Sequence, residues 1–453
     1  METDVIVIGS GQGGVPLATG LAEAGKHVIL VEKGPLGGTC VNFGCTPTKT
    51  MMASARAAHV ARRAGRLGVR AGDVEVDLAA VVDRKTDIVR QWREGVQRRV
   101  DGPENLRLIR GIARFVGPRE IEVDDKHHSA DTIVLNVGAR SRVPALAGLD
   151  SVDFLDNASI MELRSLPRHL LIIGGGYIAC EFGQMFRRFG SRVTIMERNE
   201  HLLARGDADV SEAIESVFRE EEIELVLAAE ASRVSRHGDE IVVRCSGGEE
   251  TRGSHLLVAV GRVPNTDDLG CDAAGIDLDG RGSIEVDDSF RTSAEGVYAL
   301  GDCTAGPQFT HNSWDEGRIL QDILMGKRKG GRGGRIVPST VFTDPQVAHV
   351  GLSEREARSG GIDYEVATLD FGNIARAIEI DETSGLLKVL IDPRTERILG
   401  ASIVGYEAGE LLHTFVMMMH AGASARTIVD AQIVHPTLAE GLQSVVMSLD
   451  RYR

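Results

Sequence analysis

One pattern occurs twice in this chain and constrains its fold more than any other feature. It runs strand, glycine turn, apolar helix, strand, carboxylate. The first copy is Val5–Ile8, then Gly9-Ser10-Gly11-Gln12-Gly13-Gly14, an Ala/Leu-rich helix, and Val28–Glu32. The second is Leu170–Ile173, then Gly174-Gly175-Gly176-Tyr177-Ile178-Ala179, a helix through Phe189, and Val193–Glu197. In both, the carboxylate follows the first glycine by 23 residues. Glycines allow the tight turn and bring backbone N–H groups at the positive end of a helix close to a pyrophosphate, while the carboxylate accepts from ribose hydroxyls. Gly9, Gly11, Gly14 and Glu32 are the candidate binders of the first copy. Gly174, Gly176, Ala179 and Glu197 are those of the second. A glycine-rich turn without a ligand is the bland alternative, and duplication argues against it. Two dinucleotides are expected on one chain.

A length of 453 residues leaves room for about three domains. Composition is that of a globular protein, at 42% apolar and 26% charged. A net charge of −15 excludes nucleic acid and anionic membrane surfaces as main partners. No 18-residue apolar span is present, so no transmembrane helix is expected. The strand starting near Asp4 leaves no room for a signal peptide before it, which points to the cytoplasm. A strand over 132–137 closes the first unit, and Val297-Tyr298-Ala299-Leu300-Gly301-Asp302 is another strand ending in Gly-Asp, suited to placing a carboxylate against a cofactor hydroxyl. The basic stretch Lys327–Arg335 reads as a solvated loop, with phosphate binding as the alternative. From about Val337 the glycine fingerprint disappears and a third domain begins.

The redox chemistry is carried by Cys40 and Cys45 in Gly37-Gly38-Thr39-Cys40-Val41-Asn42-Phe43-Gly44-Cys45-Thr46-Pro47-Thr48-Lys49. A helix begins in this stretch, and its N-terminus together with Lys49 is expected to lower a cysteine pKa. In a cytoplasmic protein a close cysteine pair reads as a working dithiol. Zinc binding needs a second ligand pair that the sequence does not offer, and a purely structural disulfide is the remaining alternative. Cys180, Cys245, Cys271 and Cys303 read as small buried hydrophobes. Met417-Met418-Met419 reads as helix packing rather than metal capture, and no metal site is expected.

GGTCVNFGCTPTK, GGGYIACE, AVGRVPN, VYALGD and IVHPTLAE, in that order, resemble the flavoprotein disulfide reductases, which include lipoamide dehydrogenase, glutathione reductase and mercuric reductase. The likeness covers essentially the whole chain. It implies an α/β fold with two Rossmann-like dinucleotide-binding domains and an α+β dimerisation domain. The implied division is 1–143 with 267–336 for FAD, 144–266 for NADH or NADPH, and 337–453 for the interface. It further implies a homodimer in which the carboxy-terminal domain completes the partner's active site.

Carried over by motif, Cys45 is the sulfur next to the flavin and Cys40 the interchange thiol that meets substrate. Lys49 matches the lysine near flavin N5, with Glu181 as its carboxylate partner. Lys33, Gly38, Thr39, Ala113, Gly138, Asp302 and Thr310 join the FAD set, with Asp302 on the ribityl chain. Tyr177 gates the nicotinamide pocket, and Arg198, Gly261 and Arg262 join the NAD(P)H set. His435 and Glu440 match the acid–base pair of HPTxxE: a departing thiol needs a proton, and an imidazole that supplies it must be oriented.

Within the family the sequence is mixed. The end Ser448-Leu449-Asp450-Arg451-Tyr452-Arg453 lacks the vicinal cysteines of usual mercuric reductases, and His435 is present where those enzymes typically lack it. Ile433 stands where lipoamide dehydrogenases commonly have histidine. Pro307–Asp315 resembles a mercuric reductase-like branch that includes copper-reducing flavoproteins, and it places His311 near the flavin in a polar or helix-capping role. Glu197 favours NADH by repelling a 2′-phosphate, although Arg198 and Arg205 could pair with one. The expected reaction passes electrons from NAD(P)H through FAD and Cys40–Cys45 to a small disulfide. A mercuric or copper ion reductase, a dihydrolipoamide dehydrogenase and a redox sensor without turnover are the alternatives.

Overall fold

The computed structural model describes residues 3–452, so Arg453 lies outside the described residues. The chain divides into two compact units, one of residues 3–51, 80–142 and 261–335, the other of residues 52–79, 143–260 and 336–452.

The first unit is organised by a five-stranded parallel sheet in the order Val297–Ala299, Thr132–Leu135, Val5–Ile8, Val28–Glu32, Leu106–Arg110. Val5–Ile8 is buried at every position, as a parallel strand covered on both faces requires. Leu17, Ala18 and Leu21 of the helix Gly14–Glu23 cover one face together with Ile319 and Leu320 of the helix Thr310–Leu324. Those helices meet through glycine. A Cβ on Gly317 would lie 2.7 Å from the Gly13 carbonyl oxygen. The other face is covered by an antiparallel meander, Arg114–Gly117, Glu120–Val123 and Lys126–Ser129, whose Phe115, Ile121 and Val123 pack on Ile6, Ile8 and Ile29.

The second unit repeats this plan in a four-stranded parallel sheet, Glu224–Val226, Arg192–Met196, His169–Ile173, His255–Val258. Its meander, Ala231–His237, Glu240–Cys245 and Glu250–Gly253, buries Val234, Ile241 and Val243 against Leu171 and Ile173. The same unit holds an antiparallel sheet, Ser339–Val341, Gln346–Gly351, Ile398–Gly405, Leu386–Ile391, Glu365–Asp370. The helices Ala408–Ala421 and Glu440–Met447 pack on it around Phe371, Leu387, Ile403 and Phe415. Two Rossmann-like parallel sheets and an antiparallel-sheet domain are the architecture expected from the sequence.

Local differences have physical causes. The strand expected over 132–137 ends at Leu135, and the side chain of Asn136, just beyond it, is hydrogen-bonded to Gly14 N–H and the Leu300 carbonyl. The basic stretch is not a free solvated loop. Asp288 accepts from the N–H of Gly331 at 2.8 Å and of Gly333 at 2.7 Å, and Arg335 pairs with Asp315. Met418 is buried as expected, but Met417 is exposed. Cys180, Cys245, Cys271 and Cys303 are all buried. Among the described residues no helix is long and apolar enough to cross a membrane.

Candidate active site

The dithiol sits on two helices rather than one. Gly37 and Gly38 adopt φ of 100° and 60°, a left-handed region that favours glycine, and a Cβ on Gly38 would lie 2.8 Å from Gly11 Cα. This entry leads into the short helix Gly38–Asn42, which carries Cys40, while Cys45 opens the 19-residue helix Cys45–Arg63. Asn42 ties the short helix down, donating to the Leu36 carbonyl at 3.0 Å and that of Gly38 at 2.9 Å. Cys45 is exposed at a helix start, where backbone N–H groups stabilise negative charge. Its sulfur and the Thr310 hydroxyl are 3.1 Å apart and hydrogen-bonded.

The Cys40 thiol is pushed up, first by its hydrogen bond to Cys45, then by burial and the charge of Cys45, with Lys49 opposing. The expectation of a lowered cysteine pKa therefore does not hold for Cys40. Its proton is held more tightly than that of a free thiol.

At the first glycine turn, the Glu32 carboxylate accepts from Ser10 N–H at 2.8 Å, Ser10 hydroxyl at 2.6 Å and Gly34 N–H at 2.7 Å. A carboxylate has about four lone-pair positions, so roughly one remains for a ribose hydroxyl. Asn136 accepts from Gly14 N–H at 2.9 Å and donates to the Leu300 carbonyl at 3.1 Å. Ser10 and Asn136 escaped the sequence reading. Ser10 occupies a variable position of the fingerprint, and nothing in the sequence tells where a residue just past a strand aims its side chain. Gly138 has φ of 67° with open space over its Cα, Ala113 is buried, and Lys33 and Thr39 are exposed. His311 stacks on Phe309 with ring centroids 5.4 Å apart.

Gly261 and Arg262, expected with the nicotinamide coenzyme, fall in the first unit. There Arg262 donates to Asp302 at 2.5 Å and to the Ala139 carbonyl at 3.0 Å. Glu316 accepts from Gly301 N–H at 2.6 Å, holding the turn that presents Asp302.

The second turn has the same logic with other residues. Glu197, 8% exposed, accepts from Gly175 N–H at 2.5 Å, from Asn199 N–H at 2.8 Å and from the Asn199 side chain. One acceptor position again remains. A Cβ on Gly176 would meet nothing within 4 Å, so the turn is open where a phosphate would approach. Ala179 is buried, Tyr177 is exposed, and so are Arg198 and Arg205. Glu181, on the helix Tyr177–Phe189, is buried in the second unit and accepts from Phe342 N–H at 2.9 Å, whereas Lys49 belongs to the first unit.

The two residues expected to act as acid and base are in contact. His435 Nδ1 lies 3.0 Å and 3.2 Å from the two oxygens of Glu440, and Glu440 also accepts from Thr437 N–H at 2.9 Å. That N–H first, then His435, holds Glu440 below the usual carboxylate range. An ionised Glu440 fixes the proton on Nδ1 and leaves Nε2 to exchange one. The His435 side chain is 70% exposed.

The chain matches the family model described as pyridine nucleotide-disulphide oxidoreductase over residues 3–317, and its dimerisation domain over residues 337–446. It belongs to the pyridine nucleotide-disulphide oxidoreductase family. A mercuric reductase of Lysinibacillus sphaericus is 35% identical over 99% of this chain and 83% of that protein. A dihydrolipoyl dehydrogenase of Thermus scotoductus is 34% identical over 99% and 97%. The solved Cu(II) complex of the HOCl-induced flavoprotein disulfide reductase RclA from Escherichia coli superposes with a TM-score of 0.90 at 33% identity, covering 99% of this chain and 100% of that one. As a member of this family of oxidoreductases the chain is a flavoprotein enzyme that uses FAD and NAD(P)H. The two glycine turns, each ending at a carboxylate with a free acceptor position and the second open over Gly176, fit two dinucleotides.

Proposed function

We propose that this oxidoreductase reduces a small-molecule disulfide in the cytoplasm as a homodimer, with His435 and Glu440 of each chain serving the dithiol of its partner. The observation that carries the reading is the His435–Glu440 pair, oriented to move a proton yet exposed on its own chain. A dimerisation domain supports the pairing of two chains. We divide the chain as FAD domain 1–143 with 267–336, NAD(P)H domain 144–266 and interface domain 337–453. Glu32, Gly9, Gly11, Gly14, Lys33, Gly38, Thr39, Ala113, Gly138, Asp302 and Thr310 form the FAD site in this reading, with Lys49 and Glu181 near its reactive end. Gly174, Gly176, Tyr177, Ala179, Glu197, Arg198, Gly261 and Arg262 serve the nicotinamide coenzyme, with NADH preferred through Glu197.

When bound, FAD supplies the electron path between the nicotinamide coenzyme and the dithiol. The reduced site then holds two electrons in Cys40 and Cys45, and two protons shared among those sulfurs and His435. His435 Nε2 takes the proton that Cys40 holds. The Cys40 thiolate attacks one sulfur of the acceptor, its S–S bond breaks, and the first thiol leaves with a proton from His435. Cys45 then attacks Cys40, the second thiol leaves with the remaining proton, and the Cys40–Cys45 bond closes. Atoms, electrons and protons balance.

The test replaces His435→Gln and follows the two half-reactions separately by stopped flow. Reduction of the enzyme by NAD(P)H should be nearly unchanged, while reduction of a disulfide acceptor slows by ~10²–10⁴. The names of relatives and the Cu(II) complex raise a metal ion as the other acceptor. Thiolates bind a metal without a leaving thiol to protonate, so a loss of less than about tenfold would favour that reading.

A further inference from the structure

The loop between the strand Arg192–Met196 and the helix Ala208–Glu220 is held more firmly than a surface loop of its length requires. Leu202 N–H donates to the buried Glu215 at 3.0 Å, and Leu203 N–H to the Gly175 carbonyl at 2.9 Å. Arg355 donates to the carbonyls of Ala204 at 2.8 Å and Arg205 at 2.5 Å. Asp207 occupies the N-cap position of the helix Ala208–Glu220, yet its side chain does not cap that helix. It accepts instead from Glu354 and Arg355 N–H, both at 3.0 Å, at the start of the helix Glu354–Ser359. Lys388, 3% exposed, then bridges Asp207 at 3.2 Å, Asp209 at 2.9 Å and Glu354 at 2.6 Å. The loop backbone is thus fixed at four successive residues from Leu202 to Arg205, and the loop is held again through the side chain of Asp207. Its arginines are not: Arg198 and Arg205 are exposed, and no hydrogen bond or ion pair to either side chain is found among the described residues.

We propose that Arg355, seated by Asp207 and Lys388, is a positioning residue for the pyridine nucleotide, fixing the loop that follows Glu197 and so setting how tightly the adenosine end is held. This rests on the assignment of NAD(P)H to the second glycine turn made above. The loop leaves the carboxyl end of a parallel strand, where open α/β sheets bind dinucleotides. Leu203 ties it to Gly175, whose own N–H reaches Glu197, so a shift of the loop is felt at the carboxylate. Arg355 comes from the helix between the strands Gln346–Gly351 and Glu365–Asp370 of the antiparallel sheet, which makes the coenzyme site dependent on a residue far from either fingerprint. Arg355 touches no reacting atom and acts through backbone carbonyls alone.

The test is Arg355→Met in the FAD-loaded full chain. ADP-ribose and its 2′-phosphate serve as redox-inert probes, read by titration calorimetry beside steady-state kinetics. The dissociation constant of the tighter probe should rise roughly tenfold, the scale of lost supporting contacts. KM for the coenzyme should rise in parallel, with kcat at saturation within about twofold of wild type. Arg355→Lys keeps the cation but reaches one carbonyl, so it should fall between the two proteins, and it is the variant to read where Arg355→Met fails to fold. An unchanged probe affinity in folded, flavin-loaded variants overturns the proposal, as does a loss confined to thermal stability. A wild type that binds neither probe, and whose flavin neither NADH nor NADPH reduces, overturns the coenzyme assignment as well.

Discussion

The two glycine turns share a backbone and differ in what fills them. Gly9 and Gly174 have φ of 103° and 108°, and a Cβ on them would lie 2.2 Å and 2.4 Å from the carbonyl oxygens of Asn136 and Ala259. Those two residues are structural equivalents, since Asn136 N–H donates to Ile8 as Ala259 N–H donates to Ile173. Their side chains part company. Asn136 reaches under the first turn to Gly14, where a Cβ would lie 2.1 Å from the Gly9 carbonyl oxygen and 3.1 Å from Asn136 Oδ1. Ala259 cannot reach, and the position matching Gly14 is taken by Ala179, buried without strain at the same distance from its first glycine. An alanine at the third fingerprint position is therefore a different packing solution rather than a weakened motif. The first turn is closed by a side-chain hydrogen bond, the second by a methyl group.

The largest effect should come from exchanging these solutions. Gly14→Ala drives a methyl group into backbone that cannot move alone, an overpacking worth about 3 kcal/mol or more. It should yield protein that loses FAD on gel filtration or fails to fold. Ala179→Gly removes one buried methyl and loosens a helix by about 1 kcal/mol, leaving flavin content intact. Equal flavin loss in both variants would show that the turns are not packed differently in any sense that matters.

These contrasts also mark how far the sequence was legible. Val5–Ile8 and Val28–Glu32 were read to the residue because parallel strands buried on both faces are continuous apolar runs. His435 and Glu440 were read from HPTxxE through its resemblance to the family's motif, and the structure brings the two side chains within hydrogen-bond distance. Asn136 was not legible, since its importance lies in a side-chain direction set by tertiary packing. The Arg262–Asp302 contact was not legible for the same reason: 40 residues separate its members and only the fold joins them. The basic glycine-rich stretch read as solvated because Asp288, the residue that organises it, lies outside the stretch.

A smaller effect is expected at the carboxylates. Glu197→Ala removes the charge that repels a 2′-phosphate, which should shift the NADH/NADPH ratio of kcat/KM toward NADPH by ten- to hundredfold, about 1–3 kcal/mol. Glu32→Ala at the first turn should loosen FAD and leave that ratio unchanged. A ratio unmoved by Glu197→Ala would assign the preference to Arg198 and Arg205.

The smallest effect separates the two units by their response to mild acid. In the second unit burial lowers the pKa of His59, His169 and His255, with Arg188 adding to the effect on His59 and Arg192 to that on His169. His59, whose ring accepts from Arg63 at 3.0 Å, is brought down to about 4 from an ordinary 6.5. Between those values the unfolded chain binds protons that the folded unit refuses, so stability is full above the ordinary value and falls as pH drops toward the folded one. In the first unit burial, followed by Arg107, lowers His128. There burial also raises Glu316, against the Gly301 N–H and Arg332, and a raised carboxylate has the opposite sign: the folded unit binds the extra proton and gains stability as pH falls. Hydrogen-exchange mass spectrometry at about pH 7 and about pH 5, corrected for intrinsic rates, should show protection lost first in the sheet Arg192–Met196, His169–Ile173, His255–Val258. His59→Gln should recover part of that loss while leaving the sheet around Val5–Ile8 unchanged. Protection lost first around Val5–Ile8 would mean that the histidines of the second unit are solvated in the folded protein, and that the units do not differ in this respect.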